Sequence, residues 1–312
     1  MINKDSSVKW LKTGLAILLV WLQPFSSSMA QELFMEGKVS TQYKERDMTI
    51  SVDGNHLLYS IHSYNDDARM IVEMKQNEAS WSEPTVVSFS GNYKDIEPMF
   101  SPDGTRLYFA SDRPMHEGDE SKDYNIWYAS KMSRGWGEPI ALDTMINTEG
   151  EEFFPSVSNA GTLYFTATRS DTKGKEDIYY SKLTNGKYTK PVSLDSAINS
   201  MTYEFNSFID PEEKYLIFSS YKRSDGFGGG DLYISYQKEG KWQPAINLGD
   251  KINSSKLDYC PFVSRDGKTF YFTSSRKENM KAKTVSELRE LMSLPRNGFD
   301  DIYYISMDQL PK

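Results

Sequence analysis

Residues 97–113 read EPMFSPDGTRLYFASDR. The runs 99–101 and 107–110 are short and apolar or aromatic, and Asp103-Gly104 lies between them. An Asp-Gly pair supplies the left-handed backbone that a tight hairpin demands, so the stretch reads as two antiparallel strands around a turn. The same arrangement recurs at Ser51-Val52-Asp53-Gly54, Ser158-Asn159-Ala160-Gly161, Asp210-Pro211-Glu212-Glu213 and Ser264-Arg265-Asp266-Gly267. The starts lie 50 to 57 residues apart. A period this regular marks a repeat architecture.

Outward from the hairpin, each copy continues alike. A third strand follows at 69–74, 125–129, 177–182, 231–236 and 301–306. A polar turn comes next, and then an aromatic ahead of a proline: Trp81 and Pro84, Trp136 and Pro139, Tyr188 and Pro191, Trp242 and Pro244. The segment after that proline reads as a fourth strand. Four antiparallel strands in each unit of about 50 residues predict a β-propeller blade. The fifth copy ends after its third strand, while 34–40 resembles the segments 140–147, 192–199 and 246–253 that precede later repeats. The expectation is therefore all-β: one five-bladed β-propeller over 31–312. Segment 34–40 is expected to close it beside 301–306, so that no edge stays unpaired there. The insertion 277–299 interrupts the last repeat between its second and third strands. Thr284 and Glu287 form a capping-box pair there, which predicts a short helix over 284–293.

The chain has 312 residues, 13% of them aromatic, enough for many short strands around a sizeable core. A formal net charge of −8 excludes a general nucleic-acid footprint and disfavours an anionic membrane surface. Residues 1–30 differ in kind. Lys4, Lys9 and Lys12 precede the apolar run 15–22, and Ser28 and Ala30 are small residues at cleavage positions. This is the pattern of a secretory signal peptide cut after Ala30. The run falls short of the ~20 residues of a membrane span, so no span is expected after cleavage. The expected location is periplasmic or extracellular. Cys260 is the one cysteine and cannot form an intrachain disulfide; its strand-like surroundings predict a buried, inert thiol. No cysteine directly follows the apolar segment, so a lipoprotein anchor is not indicated.

SPDGTRLYFASDR (101–113), EDIYYSK (176–182) and GDLYISY (230–236) resemble TolB-type, WD40-like β-propeller repeats. The resemblance spans roughly 34–308. It implies the propeller fold and an exported bacterial protein, and leaves function open between binding, scaffolding and catalysis. Repeat one departs by Ser63 where the others carry arginine. Repeat four departs by Pro-Glu-Glu in place of the Asp-Gly turn.

Six residues before each turn lies an acid: Glu45, Asp95, Glu152, Glu204 and Asp258. Near the end of the second strand lie Arg113, Arg169, Arg223 and Arg276. At the start of the third lie Asn125, Asp177, Asp231 and Asp301. An antiparallel meander brings these positions to one edge, so the three groups are expected to meet. Repetition in nearly every blade favours an ion network that ties the blade together over a catalytic or metal-binding ring. No metal or cofactor is expected. His56, His62 and His116 lack a tight ligand spacing and read as surface or packing residues. Lys94, Arg134 and Lys187 read as solvated, and the glycines of 226–230 lack the strand-to-helix context of a phosphate loop.

The expected function is a secreted binding or scaffold module of the bacterial envelope, recognising a protein or a glycan. The alternative is a carbohydrate-active hydrolase or lyase using acids in the central funnel. Loop length places the binding face. The connections between strands two and three vary, and long variable loops on a rigid scaffold are where binding resides. His116, Phe227, Arg296 and Phe299 sit on these loops and are the expected contact residues.

Overall fold

The computed structural model describes residues 31–312 apart from positions 79 and 279; the expected leader, 1–30, lies outside the described residues. Five antiparallel sheets form five blades. Blade one comprises Lys44–Ile50, His56–His62, Arg69–Asn77 and Thr85–Val86; blade two comprises Asp95–Phe100, Arg106–Ser111, Asn125–Ser130 and Ile140–Ala141. Blade three is Glu152–Val157, Leu163–Ala167, Asp177–Ser181 and Val192–Ser193; blade four is Tyr203–Ile209, Tyr215–Tyr221, Asp231–Lys238 and Ile246–Asn247. Blade five is Asp258–Val263, Thr269–Ser274 and Asp301–Ser306, and its fourth strand is the N-terminal Glu32–Leu33.

Blade stacking explains why the second strands are apolar throughout. Alternate residues of a strand face opposite sides of the sheet. Leu107 and Phe109 pack against Leu58 and Ile71 of blade one, whereas Tyr108 packs with Leu163 and Phe165 of blade three. Each sheet is thus buried on both faces.

The turns explain the hairpin signature. Gly54, Gly104, Gly161 and Gly267 hold φ between +68° and +79°. Repeat four places Glu213 there with φ +56°, a conformation that strains a side-chain-bearing residue by roughly 1 kcal/mol. The offset is visible across the blade boundary: the Glu213 carboxylate accepts from Ser158 Oγ (2.6 Å) and Tyr164 Oη (3.1 Å) of blade three.

The ring is closed by the N-terminal strand, but two residues upstream of the segment expected. Glu32 and Leu33 pair with Tyr304 and Tyr303, and the Phe34 N–H donates to the Ile302 carbonyl. Residues 35–40 turn away, and Ser40 Oγ accepts from the Ile302 N–H (3.1 Å) and donates to its carbonyl (3.0 Å). Asn147, Asn199 and Asn253 bond the third strands of blades two to four in the same way through their amides. The resemblance of 34–40 to those segments therefore reflects a shared blade-to-blade connector. The inserted helix spans Val285–Met292 with Thr284 as N-cap and the capping box in place, and none of its residues is buried. Among the described residues, no helix is long and apolar enough to cross a membrane.

Candidate binding site

The repeated acids lie at the starts of the first strands, fully buried or nearly so. Each arginine meets its acid: Arg113–Asp95 at 2.5 Å, Arg169–Glu152 at 3.5 Å, Arg223–Glu204 at 3.0 Å and Arg276–Asp258 at 2.6 Å. The same guanidinium also reaches a connector carbonyl from the preceding blade, that of Phe89, Ile146, Ile198 or Ile252. It stacks on two rings of its own blade, as Arg223 does on Phe218 and Tyr233 at 5.2 and 4.8 Å. The residue four before the acid completes the cage. Thr41, Thr148, Ser200 and Ser254 each give a backbone N–H and a hydroxyl to Glu45, Glu152, Glu204 and Asp258. Blade two has Gly91 at that position, and among the described residues one oxygen of Asp95 is left unpartnered.

Burial pushes Glu45 and Glu152 up to about 7, because desolvation outweighs the hydrogen bonds that favour the carboxylate. Asp301 is likewise raised to about 7 by burial.

The third member of the expected triad does not join the arginine. Asp177 accepts from the backbone N–H groups of Lys173 and Gly174, Asp231 from Phe227 N and Asn247 Nδ2, and Asp301 from Arg296 N. Among the described residues no ion pair links Arg223 to Asp231. These carboxylates hold the loop that enters the third strand. A carboxylate has a fixed number of acceptor sites, and here the loop amides take them.

Two further rings surround the axis just past the acids. The first is Arg46, Ile96, Phe153, Phe205 and Tyr259. The second is Asp47, Glu97, Phe154, Asn206 and Cys260. In all five first strands a bulge falls at this point. The second-ring residues all carry positive φ, from +46° to +61°. Bulges with left-handed backbone at this position re-aim side chains. Both rings were missed by sequence reasoning, which stopped at the repeated acid. The signal was present: the pair following each acid is Arg-Asp, Ile-Glu, Phe-Phe, Phe-Asn or Tyr-Cys, five different pairs behind one repeated residue.

The second ring is held by Arg46. Its Nε donates to Asp47 Oδ1 (2.7 Å) and its Nη2 to Glu97 Oε1 (3.2 Å), and its guanidinium stacks on Tyr259 at 4.7 Å. Glu97 also accepts from Asn206 Nδ2 (3.2 Å) and the Phe154 N–H (2.6 Å). The last bond has a simple cause. The bulge N–H groups of Glu97, Asn206 and Asp47 bond Ser60, Thr166 and Thr273 on the neighbouring second strands. Blade two carries Ala110 at the equivalent register position, so the Glu97 carboxylate supplies the missing acceptor. Burial and the nearby Asp47 push Glu97 up to about 7 despite Arg46. Cys260 is 1% exposed and donates to Asp47 Oδ1 at 2.7 Å. Its thiol is raised well above the usual range by burial, which makes it a poor nucleophile.

Above these rings opens a funnel of about 220 Å³ at the face where the first strands begin. Its lining includes Arg46, Arg69, Tyr124, Phe153, Phe205 and Tyr259. The opposite mouth is narrower, about 50 Å³, and is lined by Met99, Phe208, Phe262 and their neighbours.

The four expected contact residues sit elsewhere on the loops. His116 borders a separate cleft with Asp119 and Glu149. Phe227 is half exposed above Asp231. Arg296 pairs with Glu278 at 2.6 Å, and Phe299 packs edge-on against Tyr64 of blade one at 5.3 Å. None of the four lines the axial funnel. His56 pairs with Glu73 (2.7 Å), and His62 is buried with Nδ1 3.1 Å from Asp66. Among the described residues, no group of three or more His, Cys, Asp or Glu is placed to hold a metal ion.

No protein-family model matches the sequence, and no curated protein matches it. Solved structures share the fold. An α-L-arabinofuranosidase from Lactobacillus brevis superposes with TM-score 0.53 at 12% identity, covering 87% of this chain and 92% of that one. TolB from Acinetobacter baumannii gives TM-score 0.49 at 14% identity over 83% of this chain; the chain spans 54% of that protein. The catalytic domain of a Coprinopsis cinerea GH62 α-L-arabinofuranosidase gives 0.49 at 10% identity, with 89% and 94% covered. At these identities the likeness is one of fold.

Proposed function

We propose that this chain is an exported binding or scaffold module of the bacterial envelope. On this reading it is built from TolB-type, WD40-like repeats and holds a protein or glycan partner without chemistry. The observation that carries the reading is the state of the acids. Glu152, Glu204 and Asp258 are each caged by hydroxyl, amide and guanidinium groups. Asp47 and Glu97, the axial pair, are taken up by Arg46, Cys260, Asn206 and the Phe154 amide. A glycosidase needs two carboxyl groups facing its substrate; of the two that line the funnel, Glu97 and Glu176, Glu97 is already engaged by Arg46, Asn206 and the Phe154 amide. The partner face is the one with long loops, contacted through His116, Phe227, Arg296 and Phe299. On the inserted helix Val285, Leu288 and Met292 are exposed as well. Replacing 279–297 with a short Gly/Ser link is expected to abolish partner capture from envelope extract while the fold persists. Recovery of the same partners by the shortened protein would place the binding face elsewhere.

One observation favours the second reading, a carbohydrate-active hydrolase. Glu97 lines the funnel and is pushed up to about 7, the range of a general acid. Release of new reducing ends from an oligosaccharide panel, lost in Glu97→Gln, would establish that reading.

A further inference from the structure

The axial funnel has two walls of different chemistry. Blades three to five contribute the apolar and aromatic Phe153, Phe205, Leu257 and Tyr259, with Thr166, Glu176 and Asn206 as polar groups among them. Blades one and two contribute Arg46, Arg69, Glu97 and Tyr124. Phe153, Phe205 and Tyr124 are only partly buried. The charges of the second wall nearly cancel: Arg46 is paired with Asp47 and Glu97, and Arg69 stands 3.8 Å from Asp66.

Hydrogen-bonding capacity remains. Among the described residues, Arg69 uses one of its five N–H groups, on Tyr124 Oη at 3.0 Å. Glu176 lines the funnel, and among the described residues its carboxylate accepts no hydrogen bond. Burial raises its pKa, with Glu151 adding to the effect.

We infer that the funnel receives the terminal ring of a neutral glycan. A sugar ring has a C–H face that packs on aromatic rings and a rim of hydroxyls that both donate and accept. The donors of Arg69 and the acceptor of Glu176 match that rim, and the partly exposed Phe153 and Phe205 match the face. An anion would meet Glu97 and Glu176, a cation would meet the two arginines, and a wholly apolar ligand would cover the spare N–H groups of Arg69 and the carboxylate of Glu176 without giving them partners. The volume limits the occupant. About 220 Å³ is less than the ~300–1,000 Å³ of pockets for drug-sized ligands, so one ring enters and the rest of the glycan leads out across the loop face.

This inference rests on the proposed binding role and gives its ligand. The test is calorimetric titration of the full chain without its leader against methyl glycosides of glucose, galactose, mannose, arabinofuranose and N-acetylglucosamine, with glycyl-phenylalanine as the peptide probe. At least one glycoside is expected to bind with Kd below about 1 mM. Phe205→Ala and, separately, Arg69→Gln are expected to weaken it tenfold or more while the far-ultraviolet spectrum is retained. Arg69→Gln guards against a packing defect at Phe205. Absence of binding by every glycoside, or affinity unchanged in Arg69→Gln, overturns the inference. Binding of the dipeptide alone overturns the glycan and keeps the binding role. The loop replacement at 279–297 tests that role separately.

Discussion

Arg223→Ala tests whether the repeated acids are structural. Arg223 donates to Glu204 Oε1 from Nε (3.2 Å) and Nη2 (3.0 Å), and to Ser220 Oγ (2.9 Å). It also bonds the Ile198 carbonyl and stacks on Phe218 and Tyr233. The Glu204 side chain is wholly buried and that of Arg223 is 17% exposed. Removing one partner of a buried pair typically destabilises by ~3–5 kcal/mol. Glu204 keeps its bonds to Ser200 and Ser220, and water reaches the arginine site, so the lower end, about 3 kcal/mol, is the expected loss. At ~2 °C per kcal/mol for a large domain, the midpoint falls by roughly 6 °C. Arg223→Lys keeps the charge but cannot reach glutamate, serine and carbonyl together, and is expected to recover less than half. Urea unfolding read by tryptophan fluorescence measures both, and a cycle with Glu204→Gln isolates the coupling. A loss under about 1 kcal/mol, with the two substitutions additive within ~0.5 kcal/mol, would refute the reasoning and free these acids for chemistry.

Stability is expected to fall from pH 5 to pH 8. Glu45, Glu97, Glu152 and Asp301 are raised to about 7. The folded chain therefore keeps protons that the unfolded chain releases above its ordinary carboxylate pKa, and that stabilisation is lost as pH rises through 7. His62, lowered to about 4 by burial, acts in the opposite sense between about 4 and 6.5, as one group against four; a melting temperature higher at pH 8 than at pH 5 would contradict the balance. Deleting 31–40 removes the fourth strand of blade five together with the Ser40 clamp on Ile302, and the melting temperature should drop for the whole ring. An unchanged value would show that closure is dispensable. Glu97→Ala leaves the Phe154 N–H without its acceptor, and adding Ala110→Ser should restore about 1 kcal/mol by supplying the hydroxyl that other blades use. No recovery in the double variant would mean that Glu97 is retained for another reason.

The architecture was legible because each blade repeats its own local chemistry. Asp-Gly turns need left-handed backbone, and the same four glycines supply it; Thr284 and Glu287 state the helix start. The acid-arginine pairs were legible from an antiparallel meander, which brings those positions to one edge. Asp177, Asp231 and Asp301 were misassigned because sequence shows that a carboxylate reaches an edge and not which donors await it; the loop amides are closer than the guanidinium. The funnel was hidden for another reason. A bulge in every first strand turns Asp47, Glu97, Phe154, Asn206 and Cys260 in register around the axis, and a one-residue register shift leaves no mark in composition. Glu97 as a substitute for the hydroxyl missing at Ala110 follows only once neighbouring blades are seen side by side.

Binding without chemistry is the central claim. Its most direct test is incubation of the chain over 31–312 with a mixed neutral oligosaccharide panel, followed by mass spectrometry of both the protein-bound and free fractions. The account predicts bound oligosaccharide with every glycosidic linkage intact, displaced in Arg69→Gln. Shortened products that accumulate with time, and vanish in Glu97→Gln, would contradict it.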